Sequence, residues 1–219
     1  MRCVIFDLDG TLADTSGDLL AAANICFEGM GEDVRLTQDD AGIALRGGRA
    51  MLTAGLKRAN AYTEERVLKW YPTLLEAYGG NIATHTRLYP GALEAVEQLR
   101  RDGYAVGIAT NKPQGLAEAL LRELGVRDLF ASMIGADTLP VKKPDPAHFW
   151  AAVDQAGGNR DRALLVGDSD TDRNTAANAG APSILVTFAP PGQAVRDLNP
   201  EGTIDHFDDL PAEVRRLIG

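Results

Sequence analysis

The residues able to do chemistry fall into four short clusters, far apart in the chain. They are Asp7-Leu8-Asp9-Gly10-Thr11, Thr110-Asn111-Lys112-Pro113, Lys142-Lys143-Pro144-Asp145-Pro146 and Gly167-Asp168-Ser169-Asp170-Thr171-Asp172. Asp7 and Asp9 are two residues apart, a spacing that in extended chain puts both carboxylates on one face. Two close carboxylates without a built-in counter-charge repel each other, so the pair points to a bound cation or a retained proton. Taken singly, the other clusters have plain structural roles. Thr110 can cap a helix, Lys142 and Lys143 can be a solvated pair, and Asp168 with Asp172 suits the start of a helix. Their positions relative to the strands make them more than that.

Cys3-Val4-Ile5-Phe6 is a short apolar, partly β-branched run, the pattern of a strand buried on both faces. It ends abruptly in the first acidic cluster. Residues 105–109 form a second such run, ending in Thr110 and Asn111, and residues 163–166 a third, ending before Asp168. Met133-Ile134-Gly135 reads as a weaker strand and 183–188 as a last one. Helical patterns separate them over 92–101, 116–124, 147–156 and from the Asp168–Asp172 cluster to about Ala179-Gly180, with a terminal helix over 210–218. This alternation predicts right-handed βαβ units and a parallel sheet, whose strand ends share one edge, where open α/β sheets bind ligands. All four clusters then converge.

Between the first strand and about residue 84 no strand is legible. The segment reads as several helices, with apolar spacing at 50–56 and 67–78 and with Trp70 and Tyr71 packed between them. So long a stretch is not an ordinary connection and predicts a helical domain inserted after strand one. The organisation expected is α/β, a Rossmann-like parallel-sheet core of residues 1–14 and 86–219 with an inserted α-helical domain at 15–85.

Composition bounds the partners. The chain has 219 residues, 45% hydrophobic and 24% charged, with a net charge of −9. That acidic balance opposes binding to nucleic acid or to an anionic membrane. No apolar run approaches spanning length, and a core-type strand at residue 3 leaves no room for a signal peptide. Two cysteines, Cys3 and Cys26, are too few for a disulfide framework and are expected as buried thiols, which makes a cytoplasmic location the default.

Asp7-Leu-Asp-Gly-Thr, Ala109-Thr-Asn-Lys-Pro, Lys143-Pro-Asp-Pro and Val166-Gly-Asp-Ser-Asp-Thr-Asp172, in this order, resemble the motifs of the haloacid dehalogenase superfamily. The branch is that of small-molecule phosphatases with a helical cap inserted after the first strand. Within it the Tyr89-Pro-Gly lead-in, Thr110-Asn-Lys-Pro and Lys142-Lys-Pro-Asp-Pro are most similar to the phosphoglycolate phosphatases. The resemblance implies a phosphoaspartyl mechanism. Asp7 is then the nucleophile and Asp9 the acid and base. Mg²⁺ is held by Asp7, the backbone carbonyl of Asp9 and Asp168, while Asp172 supports that shell directly or through water. Thr110, Asn111 and neighbouring backbone N–H groups bind phosphoryl oxygens, and Lys143, which directly precedes Pro144, balances charge, with Lys142 as the alternative lysine. The implied substrate is a small phosphorylated metabolite, 2-phosphoglycolate first, with nucleoside monophosphates, sugar phosphates and pyrophosphate as alternatives. Dehalogenases and phosphonate-cleaving relatives lack the second aspartate. Sugar phosphomutases look for a cap histidine soon after the first motif, whereas the first histidine here is His85.

Within the inserted domain, Arg46 and Arg49 flank Gly47-Gly48 and are the candidates to grip a substrate carboxylate. Lys57 and Arg58 are expected in solvent, and His85, His148 and His206 in structural or surface roles. Hinges are expected near 13–17 and 84–88. The oligomeric state, monomer or homodimer, is left open.

Overall fold

Four consecutive apolar residues with no polar residue among them can satisfy both faces only in the middle of a sheet, and Cys3–Phe6 (β1) takes that position. In the computed structural model, which describes residues 1–219, all four of its side chains are fully buried. β1 pairs in parallel with Ala105–Ala109 (β4) on one side and Ala163–Gly167 (β6) on the other, Cys3 standing opposite Ala105 and Ala163. Ser132–Ile134 (β5), Ser183–Val186 (β7) and Gly202–Ile204 (β8) extend the sheet to the order β5-β4-β1-β6-β7-β8, with every pairing parallel. The edge strand β8 is an addition to the sequence-based expectation, as is a two-stranded ribbon of Ala13–Asp14 (β2) and Arg87–Leu88 (β3).

The chain divides into two compact units. One comprises Met1–Ala13 and Leu88–Gly219, the other Asp14–Arg87. The first unit holds the sheet and the helices Ala92–Arg101, Gln114–Glu123, Pro146–Gln155, Asp170–Ala179 and Leu210–Ile218 (α5–α9). On one face the strand side chains Cys3, Ile5, Ala163 and Leu165 pack with Phe149 and Val153 of α7.

The second unit is all helix apart from its ends. It consists of Ser16–Met30 (α1), the single turn Ala41–Ala44 (α2), Gly48–Arg58 (α3) and Glu64–Gly80 (α4). Its core is Phe27, Met51, Leu52, Leu56, Val67 and Leu74, all buried, and Trp70 of α4 lies across Gly29 of α1. The start of α1 is shaped by two aspartates. Asp14 accepts from the Ser16 N–H and hydroxyl. Asp18, only 2% exposed, accepts from the backbone N–H groups of His85 and Thr86 and from the Thr86 hydroxyl. The carboxylate thereby fastens the end of the insert to its beginning.

Candidate active site

The site starts where β1 runs out. Asp7 donates its backbone N–H to the Val166 carbonyl at 2.9 Å, which continues the sheet by one residue and fixes the carboxylate at the strand end. The chain then folds tightly, with the N–H groups of Thr11, Leu12 and Ala13 all directed to the Leu8 carbonyl. Gly10 makes this turn possible. Its φ is +81°, and a Cβ there would lie 2.6 Å from Asp168 Oδ2, so the position tolerates no side chain without displacing that carboxylate.

Beside it, β6 ends in Gly167 and the chain enters α8. A Cβ on Gly167 would come within 2.3 Å of Asp172, so the glycine lets the first turn of α8 close over the strand end. Ser169 caps α8, and Asp172, three residues on, accepts the Ser169 backbone N–H on Oδ2, a reciprocal capping box. Oδ2 also accepts from the Ser169 hydroxyl at 2.6 Å and the Asp168 N–H at 3.2 Å. Oδ1 accepts from Lys143 Nζ at 2.7 Å. Three donors converge on Oδ2 and Lys143 alone meets Oδ1, so Oδ1 is the oxygen with capacity left for a cation or its water. Asp172 also holds Lys143.

Lys143 reaches the site from the loop before α7, its side chain 1% exposed, with Nζ 3.0 Å from Asp7 Oδ2 and 2.7 Å from Asp172. Burial alone pulls its pKa down, but Asp172 and Asp7 outweigh that and hold it above the ordinary lysine value. Of the two adjacent lysines, Lys142 is exposed and Lys143 is the one at the carboxylates.

Thr110, at the end of β4, is buried, and its N–H donates to the Ile134 carbonyl at 2.9 Å. Its hydroxyl oxygen accepts from the Lys112 N–H at 3.2 Å. Asn111 is exposed and gives its amide to the Lys143 carbonyl at 3.1 Å, which ties the Thr110 loop to the lysine loop. Lys112 was not foreseen as a site residue. Its side chain is 4% exposed and its Nζ lies 2.9 Å from Asp9 Oδ1. Thr11, also unforeseen, donates its hydroxyl to Asp168 Oδ1 at 2.8 Å. The D-G-T sequence could have pointed to Thr11, whereas nothing local pairs residue 112 with residue 9.

Asp7, Asp168 and Asp172 present oxygen atoms within 4.8 Å of one another. Burial, then the charges of Asp172 and Asp9 against the pull of Lys143, raise the Asp7 carboxyl to about 6. Burial, followed by Asp172 and Asp7, raises Asp168 well above the carboxylate range. One lysine does not neutralise three buried carboxylates. Asp7 and Asp168, with Asp172 beside them, can meet a hard divalent cation, and Asp168 Oδ2 accepts no hydrogen bond. The donor set fits such an ion.

In the helical unit, Arg46 and Arg49 are exposed and line an open groove of about 420 Å³ with Lys57 and Ile43. Arg49 is ion-paired with Glu64, while Arg46 has no such partner. Arg58, expected in solvent, clasps Asp40 with both guanidinium nitrogens. His148 is wholly buried, with Nε2 3.0 Å from the Gly135 carbonyl, and His206 accepts from the Asp208 N–H.

Comparison with known proteins follows the same lines. The haloacid dehalogenase-like hydrolase profile matches residues 4–186. A phosphoglycolate phosphatase of Mesorhizobium japonicum is 38% identical, covering 98% of this chain and 96% of its own. One from Caulobacter vibrioides is 36% identical, covering 95% and 88%. The crystal structure of a predicted phosphoglycolate phosphatase from Haemophilus somnus superposes with a TM-score of 0.83 at 27% identity, over 97% of both chains. No helix is long and apolar enough to cross a membrane. The profile begins inside the strand that carries Asp7 and ends with the strand after Asp168, and on that match the chain belongs to the haloacid dehalogenase-like hydrolases.

Proposed function

We propose that the protein is a Mg²⁺-dependent phosphatase that hydrolyses a small phosphomonoester, 2-phosphoglycolate, through a phosphoaspartyl intermediate. The observation that carries this reading is Asp7 itself. It is a carboxylate at the end of the central strand, touched by one buried lysine and adjacent to the under-bonded Asp168. The names of the curated relatives support the choice of substrate.

Asp7 attacks phosphorus as the ester P–O bond breaks, and Asp9 gives its proton to the departing alkoxide oxygen. In the second half, Asp9, now a carboxylate, takes a proton from water as the water oxygen attacks the aspartyl phosphate. The P–O bond to Asp7 breaks, orthophosphate leaves, and Asp9 is again protonated. Lys143 balances the charge gathering on the equatorial oxygens, and Asp172 keeps it in place. Thr110 and the backbone N–H groups around Asn111 hold those oxygens. When bound by Asp7, Asp168 and the Asp9 carbonyl, Mg²⁺ offsets the repulsion between a carboxylate and a phosphate dianion. Arg46 is the first candidate for the substrate carboxylate and Arg49, already paired with Glu64, the second. The two buried free thiols suit a cytoplasmic location.

The test is phosphate release from a panel of phosphomonoesters and pyrophosphate, with Mg²⁺, with EDTA, and with Asp7→Asn. Preference for 2-phosphoglycolate, lost under either control, is the expected result. Equal turnover of many esters removes the substrate assignment, and turnover by Asp7→Asn removes the mechanism.

A further inference from the structure

Lys112 is the buried charge that the proposed chemistry leaves unused. A lysine this deeply enclosed is costly unless it is paired. Its backbone is pinned on both sides, the N–H to the Thr110 hydroxyl at 3.2 Å and the carbonyl to the Ala136 N–H at 2.9 Å. The β5 loop that supplies Ala136 is itself anchored, since the Gly135 N–H bonds to Gln114 and Thr138 and its carbonyl meets His148. The side chain thus leaves a rigid platform and ends 2.9 Å from Asp9 Oδ1. The two buried lysines divide the acidic groups between them, Lys143 taking Asp7 and Asp172, and Lys112 taking Asp9.

We propose that Lys112 is a positioning residue for Asp9. A carboxylate can rotate about its last torsion, and that torsion is soft. A donor fixed on Oδ1 sets the plane of the group and so the direction in which Oδ2 points. Proton transfer to a leaving oxygen requires that direction to be right within hydrogen-bond tolerance. The proposal rests on the reading of Asp9 as the proton donor, and it gives Lys112 a role separate from holding the phosphoryl group.

The two roles separate by leaving group. An alkyl ester needs a proton donor in its first step, whereas p-nitrophenyl phosphate expels a stable phenolate without one. The value of kcat/KM reports that first step alone. In Lys112→Met, kcat/KM for the preferred alkyl ester is expected to fall about 30-fold or more, and that for p-nitrophenyl phosphate by less than about 3-fold. In an Asp9→Asn background the same substitution is expected to add nothing on the alkyl ester. Lys112→Gln, which keeps a donor, gives the same split at smaller size and serves if the methionine variant does not fold. Equal losses on both esters overturn the proposal, because they mean that Lys112 grips the phosphoryl group, and so does no loss on either. Turnover of either ester by Asp7→Asn overturns the underlying mechanism as well, which separates the two failures.

Discussion

Asp7→Asn is expected to make the metal-free protein more stable while abolishing its activity. In the folded chain the Asp7 carboxyl is raised from 3.8 to about 6, with burial as the main cause and Asp172 and Asp9 adding to it. A group raised in this way favours the folded state fully below its unfolded value, and the benefit is lost as pH rises through the folded one. At pH 7.5 the ionised Asp7 therefore costs about 3 kcal/mol, at about 1.4 kcal/mol per unit. An asparagine keeps the shape and removes the charge, but the buried amide carries its own desolvation cost, so the expected gain is about 1–3 kcal/mol. For a chain of this length that is about 3–10 °C in Tm. The assay is thermal unfolding of both proteins in EDTA across pH 4.5–7.5. The gap in favour of the variant should open as pH rises from about 4 through 6 and then level off. Mg²⁺ should narrow it by stabilising the wild type more, since the variant lacks a carboxylate proposed to hold the ion. A variant less stable than wild type in EDTA at pH 7.5, or a gap that does not change with pH, refutes the reasoning.

Three further outcomes are expected. Lys143→Met leaves Asp7 and Asp172 buried without their cation and should cost about 3–5 kcal/mol in urea unfolding, with loss of turnover. Thr11→Val removes the hydroxyl that orients Asp168, and Mg²⁺ affinity by calorimetry should weaken about 10–100-fold with little change in fold. Arg46→Ala should raise KM for 2-phosphoglycolate about 10-fold or more and leave KM for an ester lacking a carboxylate nearly unchanged, as read from steady-state kinetics.

What a sequence reveals here depends on how local the physics is. Strands buried on both faces appear as apolar runs, and β1, β4, β6 and β7 are each visible as one, the first three stopping at a polar cluster. The parallel topology then predicts that Asp7, Thr110, Lys143 and Asp168 share one sheet edge. The strand β8 was not legible, because Gly202-Thr203-Ile204 at a sheet edge is too short to show a period. Asp172 was partly legible. Its S-x-x-D spacing from Ser169 marks a capping box, but its second partner is Lys143, twenty-nine residues away. Lys112 was the hardest to read. A lysine beside Thr-Asn looks solvated, and its partner lies 103 residues earlier in the chain.

Asp18 has a consequence for how the chain finds its sheet. β1 must meet β4 across about 100 residues, and closing so long a loop is an entropic burden on the folding chain. The hydrogen bonds from Thr86 to Asp18 span 68 of them. Once the helical insert has folded and locked through that carboxylate, the loop that remains to be closed has about a third of its former length. The logarithmic dependence makes this saving about 1 kcal/mol. The insert thus behaves in folding as a pre-tied knot of string, its bulk nearly invisible to the strands on either side of it. Replacing the sequence between its ends should leave the register of β1 against β4 and β6 untouched, provided that the Asp18 tie is kept.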